Sequence, residues 1–161
     1  MPKQPDFNSV FWEYFKKRPK KVRYEVRQAP NMLHDLVFLN SLIHDARLFR
    51  KKIRLRGRRL TIPLERDCWE LSRGESPCLK TAESRLSIGG VIEVSWQFDG
   101  IDEPEKPDEL WIDGICFSKE HRSHVVDHFE LFIMGCEPWH LRIGVSQDDF
   151  TLRLTDTSEP R

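Results

Sequence analysis

No stretch of this sequence approaches the ~20 consecutive apolar residues that a membrane-spanning helix requires, and the opening MPKQPDFNSV has no apolar core of the kind that directs export. Both absences point to a cytoplasmic chain. Close cysteine pairs are also missing: Cys68, Cys78, Cys116 and Cys136 are widely spaced, with no CxxC to start a zinc site. Four free thiols are the expectation, because the compartment is reducing and the core needs no staple. A Gly-rich turn between strand and helix is lacking, as is a Walker lysine, which argues against the common nucleotide folds. Internal repeats and low-complexity tracts are absent too. Net charge of either sign is lacking: 26 Lys/Arg balance 26 Asp/Glu, and the pI is near 7.0, where a dedicated nucleic-acid binder usually exceeds about 9.

What is present suits one domain, residues 1–161, with 39% hydrophobic and 11% aromatic residues to form a packed core. The zero net charge hides a division. Residues 1–66 hold 17 Lys/Arg against 6 Asp/Glu, a net of +11, and residues 67–161 hold 9 against 20, a net of −11. Such asymmetry suggests a charged partner, or two halves that face each other within one fold.

Hydrophobic spacing gives the elements. Phe7, Val10, Phe11, Tyr14 and Phe15 recur at helical intervals, and Pro19 stops the pattern, so residues 6–17 read as an amphipathic helix. Val22, Tyr24 and Val26 alternate with charged residues as a half-buried strand does. Leu33, Leu36, Val37, Phe38, Leu39, Leu42 and Ile43 make an apolar surface so wide that a second helix buried on most sides is expected. Next, Ile53 and Leu55, then Leu60, Ile62 and Leu64, alternate around RGRR as a β-hairpin turning at Gly57 and Arg58. SRLSIGGVIEVSWQF reads as a second hairpin with Gly89 and Gly90 at its turn, and the acidic DGIDEPEKPDE as an exposed loop. LWIDGICF, VVDHFELFIMG, WHLRIGVS and FTLRLTD follow at the spacing of an antiparallel meander. The sum is an α+β fold: two N-terminal helices on one face of a largely antiparallel, meander-like sheet of about eight strands, with a strongly bent sheet or partial barrel as the variant.

Three stretches invite chemistry. HRSHVVDH at 121–128 would bring its histidines to one face of a helix, within reach of one metal ion. The β-branched Val125 and Val126 and the alternation of Phe129, Leu131 and Ile133 favour a strand instead, where His124 and His128 stand ~13 Å apart. No metal and no cofactor are expected. His34-Asp35 and His44-Asp45 invite comparison with metal-dependent phosphohydrolases, but the chain turns to β structure after Asp45, so a role at the helix exit is the plainer account. Cys136, Glu137 and His140 in GCEPWH could supply a thiol, an acid and a base, but the thiol follows a strand at a turn, with nothing there to lower its pKa.

The strongest feature is cationic. Arg50, Lys52, Arg54 and Arg56 occupy alternate positions and would share one strand face opposite Ile53 and Leu55, with Arg58 and Arg59 carrying the charge around the turn. This makes the hairpin 50–59 the expected binding surface and assigns no catalytic residue. The reading that results is a non-enzymatic soluble binding or interaction protein, of adaptor, inhibitor or immunity type by fold analogy, acting through a protein partner or its own dimer. Nucleic-acid binding through the hairpin is the alternative, and a metal-dependent or thiol hydrolase the third reading. Residues 99–113, the acidic counterpart, would cover the stripe or pair with it in a neighbouring subunit.

Overall fold

A computed structural model describes residues 21–27, 32–68, 80–118, 128–135 and 138–161. Its framework is one antiparallel sheet of ten strands. These are β1 (Arg23–Val26), β2 (Arg47–Phe49), β3 (Arg54–Arg56), β4 (Arg59–Asp67), β5 (Thr81–Gly89), β6 (Val91–Phe98), β7 (Glu109–Ser118), β8 (His128–Gly135), β9 (Trp139–Ser146) and β10 (Thr151–Asp156). Hydrogen bonding runs in the order β1-β10-β5-β4-β2-β7-β8-β9-β6, with β3 as a further strand on β4.

This corrects the α+β expectation of two helices on an eight-stranded meander. Among the described residues there is one helix, α1 (Met32–Ile43), and the stretch expected to form the other, residues 6–17, lies outside them. Only two runs of three, β3-β4-β5 and β7-β8-β9, are meanders in chain order. FTLRLTD does not extend the second, because β10 inserts between β1 and β5. The supposed second hairpin is also different. β5 pairs with β4 and β10, whereas β6 pairs with β9, so Gly89-Gly90 is a corner where the chain leaves one half of the sheet for the other. Gly90 has φ +77°, and a Cβ there would stand 2.8 Å from the carbonyl carbon of Asp149. Only glycine fits that corner without strain. Val91 N–H donates to the Arg58 carbonyl at 3.0 Å and Ser146 N–H to that of Gly90 at 2.8 Å, which ties the corner to both halves.

The first hairpin is found where the sequence places it. Leu55 pairs with Leu60 and Arg56 with Arg59 around a turn in which Gly57 has φ +56°. Alternation along β4 sends Leu60, Ile62 and Leu64 inward, where they join Leu86 and Ile88 of β5 and Leu152 and Leu154 of β10. The core continues through Ile112 and Ile115 to Ile133, Leu141, Ile143 and Val145, so both halves of the sheet share it.

Helix α1 covers part of this core with Leu36, Phe38, Leu39, Leu42 and Ile43. Each such side chain contributes about 1.5–3 kcal/mol when fully buried. The helix is not enclosed on most sides, since Leu33 and Val37 are more than half exposed. Two polar contacts fix its position. Asp35, itself buried, accepts from Tyr24 Oη at 2.8 Å and from the Arg27 guanidinium at 3.0 Å. Asn40 bonds both the N–H (2.7 Å) and the carbonyl (2.9 Å) of Ile115, just beyond a bulge in β7. Asp45, at φ +62°, then reverses the chain and donates its N–H to the Ile112 carbonyl at 2.9 Å. Among the described residues no helix is long and apolar enough to cross a membrane.

Candidate binding face

The expected stripe does not form as a single strand face. Arg50, Lys51 and Lys52 make one turn of 3-10 helix between β2 and β3, which breaks the two-residue alternation. Arg50 turns toward the acidic segment, with Nε donating to the Pro107 carbonyl at 3.1 Å and an Nη to Asp108 at 2.9 Å. Lys51, absent from the expected set, reaches the same carboxylate at 2.6 Å. That ammonium, with Arg50 in support, holds the Asp108 carboxyl below its ordinary range. Lys52 lies over the Phe49 ring, its Nζ 4.4 Å from the centroid.

The remainder of the hairpin is open. Arg54, Arg56, Arg58 and Arg59 are all exposed. Arg58 pairs with Asp149 at 2.5 Å, and Arg54 donates to the Lys51 and Ile53 carbonyls at 2.6 and 2.9 Å. Arg56 and Arg59 face each other across the ladder, and neither meets a carboxylate among the described residues. Like charges directly opposite are destabilising. Residues 99–113 therefore engage only the entrance to the hairpin: Asp108 holds Arg50 and Lys51, and Glu109 holds Arg47 at 3.0 Å.

Register extends the open charge well beyond the hairpin. Residues paired across a ladder share a face, and Arg54 stands in line with Thr61, Ser87, Arg153 and Glu25 on successive strands. One row away lie Arg56, Arg59, Gly89 and Thr151, and on the other side Pro63, Arg85, Thr155 and Arg23. The opposite face of these strands carries the buried leucines and isoleucines, so all three rows point away from the core. Six arginines from five strands thus look outward in these three rows beside one carboxylate, Glu25, which Arg153 holds at 3.0 Å; the next rows of the same face carry Glu65 opposite Glu83, and Asp67. Arg85 is exposed with no carboxylate partner among the described residues, and Arg153 Nε is buried without an acceptor. Between the arginines stand Thr61, Ser87, Thr151 and Thr155, with no aromatic side chain. Aromatics come only at the margin, where Trp111 is half exposed beside Arg47, whose guanidinium carbon is 5.8 Å from the ring centre and which also pairs with Glu65 and Glu109.

Arg23, Arg85 and Arg153 are dispersed in the sequence and were not part of the expected site. A signal existed. Arg85 alternates with Leu86 and Ile88 in SRLSI, and Arg153 with Leu152 and Leu154 in TLRLT, so each had to lie opposite the core. Only the strand order, which no local pattern contains, brings them beside Arg54 and Arg59.

The other candidates are dispersed. Residues 121–127 and 136–137 lie outside the described residues; His128 opens β8. His140 Nε2 stands 2.7 Å from Asp99, with its Nδ1 buried and unpartnered. His44 is exposed at the helix exit, 3.0 Å from Asp45 and 3.7 Å from Asp113. Neither Cys68 nor Cys116 is in a disulfide, and burial pushes the Cys116 thiol up, opposite to what a nucleophile requires.

No protein-family model matches this chain, and comparisons with curated proteins and with solved structures likewise return no match.

Proposed function

We propose that this protein works by binding and not by catalysis, with the outer arginine face of β1, β3, β4, β5 and β10 as its working surface for an anionic partner. One observation carries the reading: Arg54, Arg56, Arg59 and Arg85 gather in three adjacent rows of that face and meet no carboxylate among the described residues, although the chain as a whole is neutral and Glu65, Asp67 and Glu83 stand in the rows beyond. A structural role for these cations would call for paired carboxylates, and Arg56 against Arg59 is a repulsive pairing instead. Cys68 and Cys116, neither of them in a disulfide, suit a cytoplasmic setting.

Retention of the full chain on immobilised heparin, a generic polyanion, tests the proposal. The protein is expected to bind at low salt in spite of its neutral net charge, and the variant Arg54→Ser/Arg56→Ser/Arg85→Ser to flow through with its fold intact by circular dichroism. Flow-through of the unaltered protein would overturn the reading.

Self-association has one observation in its favour. Asp102, Glu103 and Glu105 are exposed and meet no cation among the described residues, so they complement the arginine face of a second copy. Such a contact joins different surfaces of the two copies and would generate rings or chains of molecules. Light scattering at low salt would then show a mass above 19.1 kDa that falls to the monomer's on adding salt.

A further inference from the structure

We infer that the partner of the arginine face is the phosphate backbone of a nucleic acid, contacted without regard to base sequence. This rests on the binding reading above and gives the partner its chemistry.

The residues between the arginines decide the class. A protein interface usually has an apolar or aromatic centre that excludes water. Here the positions inside the patch are Thr61, Ser87, Gly89, Thr151 and Thr155, with Pro63 opposite Arg85 as the one larger apolar side chain, and Leu55 shares the opposite face with Leu60. Guanidinium forks interleaved with hydroxyl donors are instead the groups that hold phosphate oxygens. Arg54, Arg56, Arg59 and Arg85 meet no carboxylate among the described residues, so contact with a phosphate would release counter-ions without breaking an existing ion pair.

The same inventory explains why base sequence goes unread. Base edges are read by an element that enters a groove, and single-stranded bases by exposed aromatic rings. This face is part of a continuous sheet whose arginine rows contain no aromatic residue, and at its margin Lys52 already covers the Phe49 ring. Contact is therefore confined to the backbone.

The inference is tested by fluorescence anisotropy of the full chain with a labelled oligothymidylate and with two DNA duplexes of unrelated sequence, titrated at several salt concentrations. Poly-glutamate serves as the non-phosphate polyanion. Expected are equal affinities for the two duplexes and a log–log salt slope of about −3 to −4 from four phosphate contacts. Each of Arg54→Ser, Arg56→Ser and Arg85→Ser should reduce that slope by about one. Arg58→Ser, which removes a cation already paired with Asp149, should leave it nearly unchanged. Retention on heparin with no binding to any oligonucleotide, or binding to poly-glutamate as tight as to DNA, would overturn the inference and leave the anionic-partner reading standing. Failure to bind heparin at all would remove both. A strong preference for one duplex would refute the backbone-only contact.

Discussion

Arg59 and Arg66 belong to the same strand, β4, yet they live in opposite worlds. Arg59 faces outward beside another arginine and meets no carboxylate among the described residues. Arg66 is 0% exposed, and its guanidinium forks onto Asp156 with Nε at 2.9 Å from Oδ1 and an Nη at 2.8 Å from Oδ2. The Ser84 hydroxyl and the Val22 N–H complete the shell of that carboxylate at 2.7 and 2.8 Å. Position parity alone separates the two. Arg66 has the parity of Leu60, Ile62 and Leu64, which face the core, and Arg59 that of Thr61 and Pro63, which face out. Arg66 is thus fully matched inside, whereas Arg59, like Arg54, Arg56 and Arg85, meets no carboxylate among the described residues. The inner pair serves the fold, and the outer set is the one proposed to meet a partner.

The comparison is broken most severely from the inside. Arg66→Met should strand the buried Asp156 carboxylate and cost about 3–5 kcal/mol, a large part of the roughly 5–15 kcal/mol that keeps a domain folded; urea denaturation measures it. Arg66→Met combined with Asp156→Leu should recover part of that loss. Recovery stays incomplete because Val22 N–H and the Ser84 hydroxyl then lack their acceptor.

Acid should act on the same carboxylate. Burial by itself would raise the Asp156 pKa, but the Arg66 hydrogen bonds and charge, with Val22 N–H and Ser84, outweigh it and hold the carboxyl below its ordinary value. Asp35 follows the same pattern, with burial overcome by Arg27 and Tyr24. A depressed folded pKa contributes stability that is complete above the unfolded value of about 4 and is lost as pH falls through the folded value. Denaturation midpoints measured from neutral pH downward should therefore drop below about pH 4, and Asp35→Asn should drop less steeply than the unaltered protein. Equal steepness would mean that Asp35 is not a source of the loss.

On the outer face the effects shrink. Arg54→Ser/Arg56→Ser/Arg85→Ser should move unfolding by less than about 1 kcal/mol, because none of the three meets a carboxylate among the described residues. A larger loss would show that these cations support the fold and would erase the contrast with Arg66. The smallest effect should have the opposite sign: Arg56→Thr relieves the pairing with Arg59 and should stabilise by about 0.5 kcal/mol, visible as a small rise in melting temperature.

The hairpin at Gly57 was legible because a turn dipeptide lies between two short alternating runs that do pair with each other. Gly89-Gly90 gives the same local signal, but β5 and β6 find their partners elsewhere, and periodicity carries no information about partners. The break at Arg50–Lys52 was hidden because RKK also fits an alternating cationic strand. Arg66 opens a stretch, RDCWELSRGESPCLK, that reads as loop from its Gly and Pro, but β4 runs on to Asp67 and the parity of Arg66 with Leu64 turns it inward. Half of the proposed binding face was readable, namely Arg54, Arg56 and Arg59; Arg85, Arg153 and Arg23 needed the strand order to join them.

The insertion of β10 between β1 and β5 also sets an order in time. Asp156 meets Val22 across 134 residues of chain, and it stands on a strand that follows all nine others. Until that strand seats, Arg66 has no Asp156 beside it and β5 has an open edge, so closing the core early means burying an unmatched guanidinium. Contacts between such distant parts of a chain form slowly, because the intervening loop must close before any of them can form. Burial of Arg66 in the core is thereby tied to the seating of the last strand, 90 residues further along the chain.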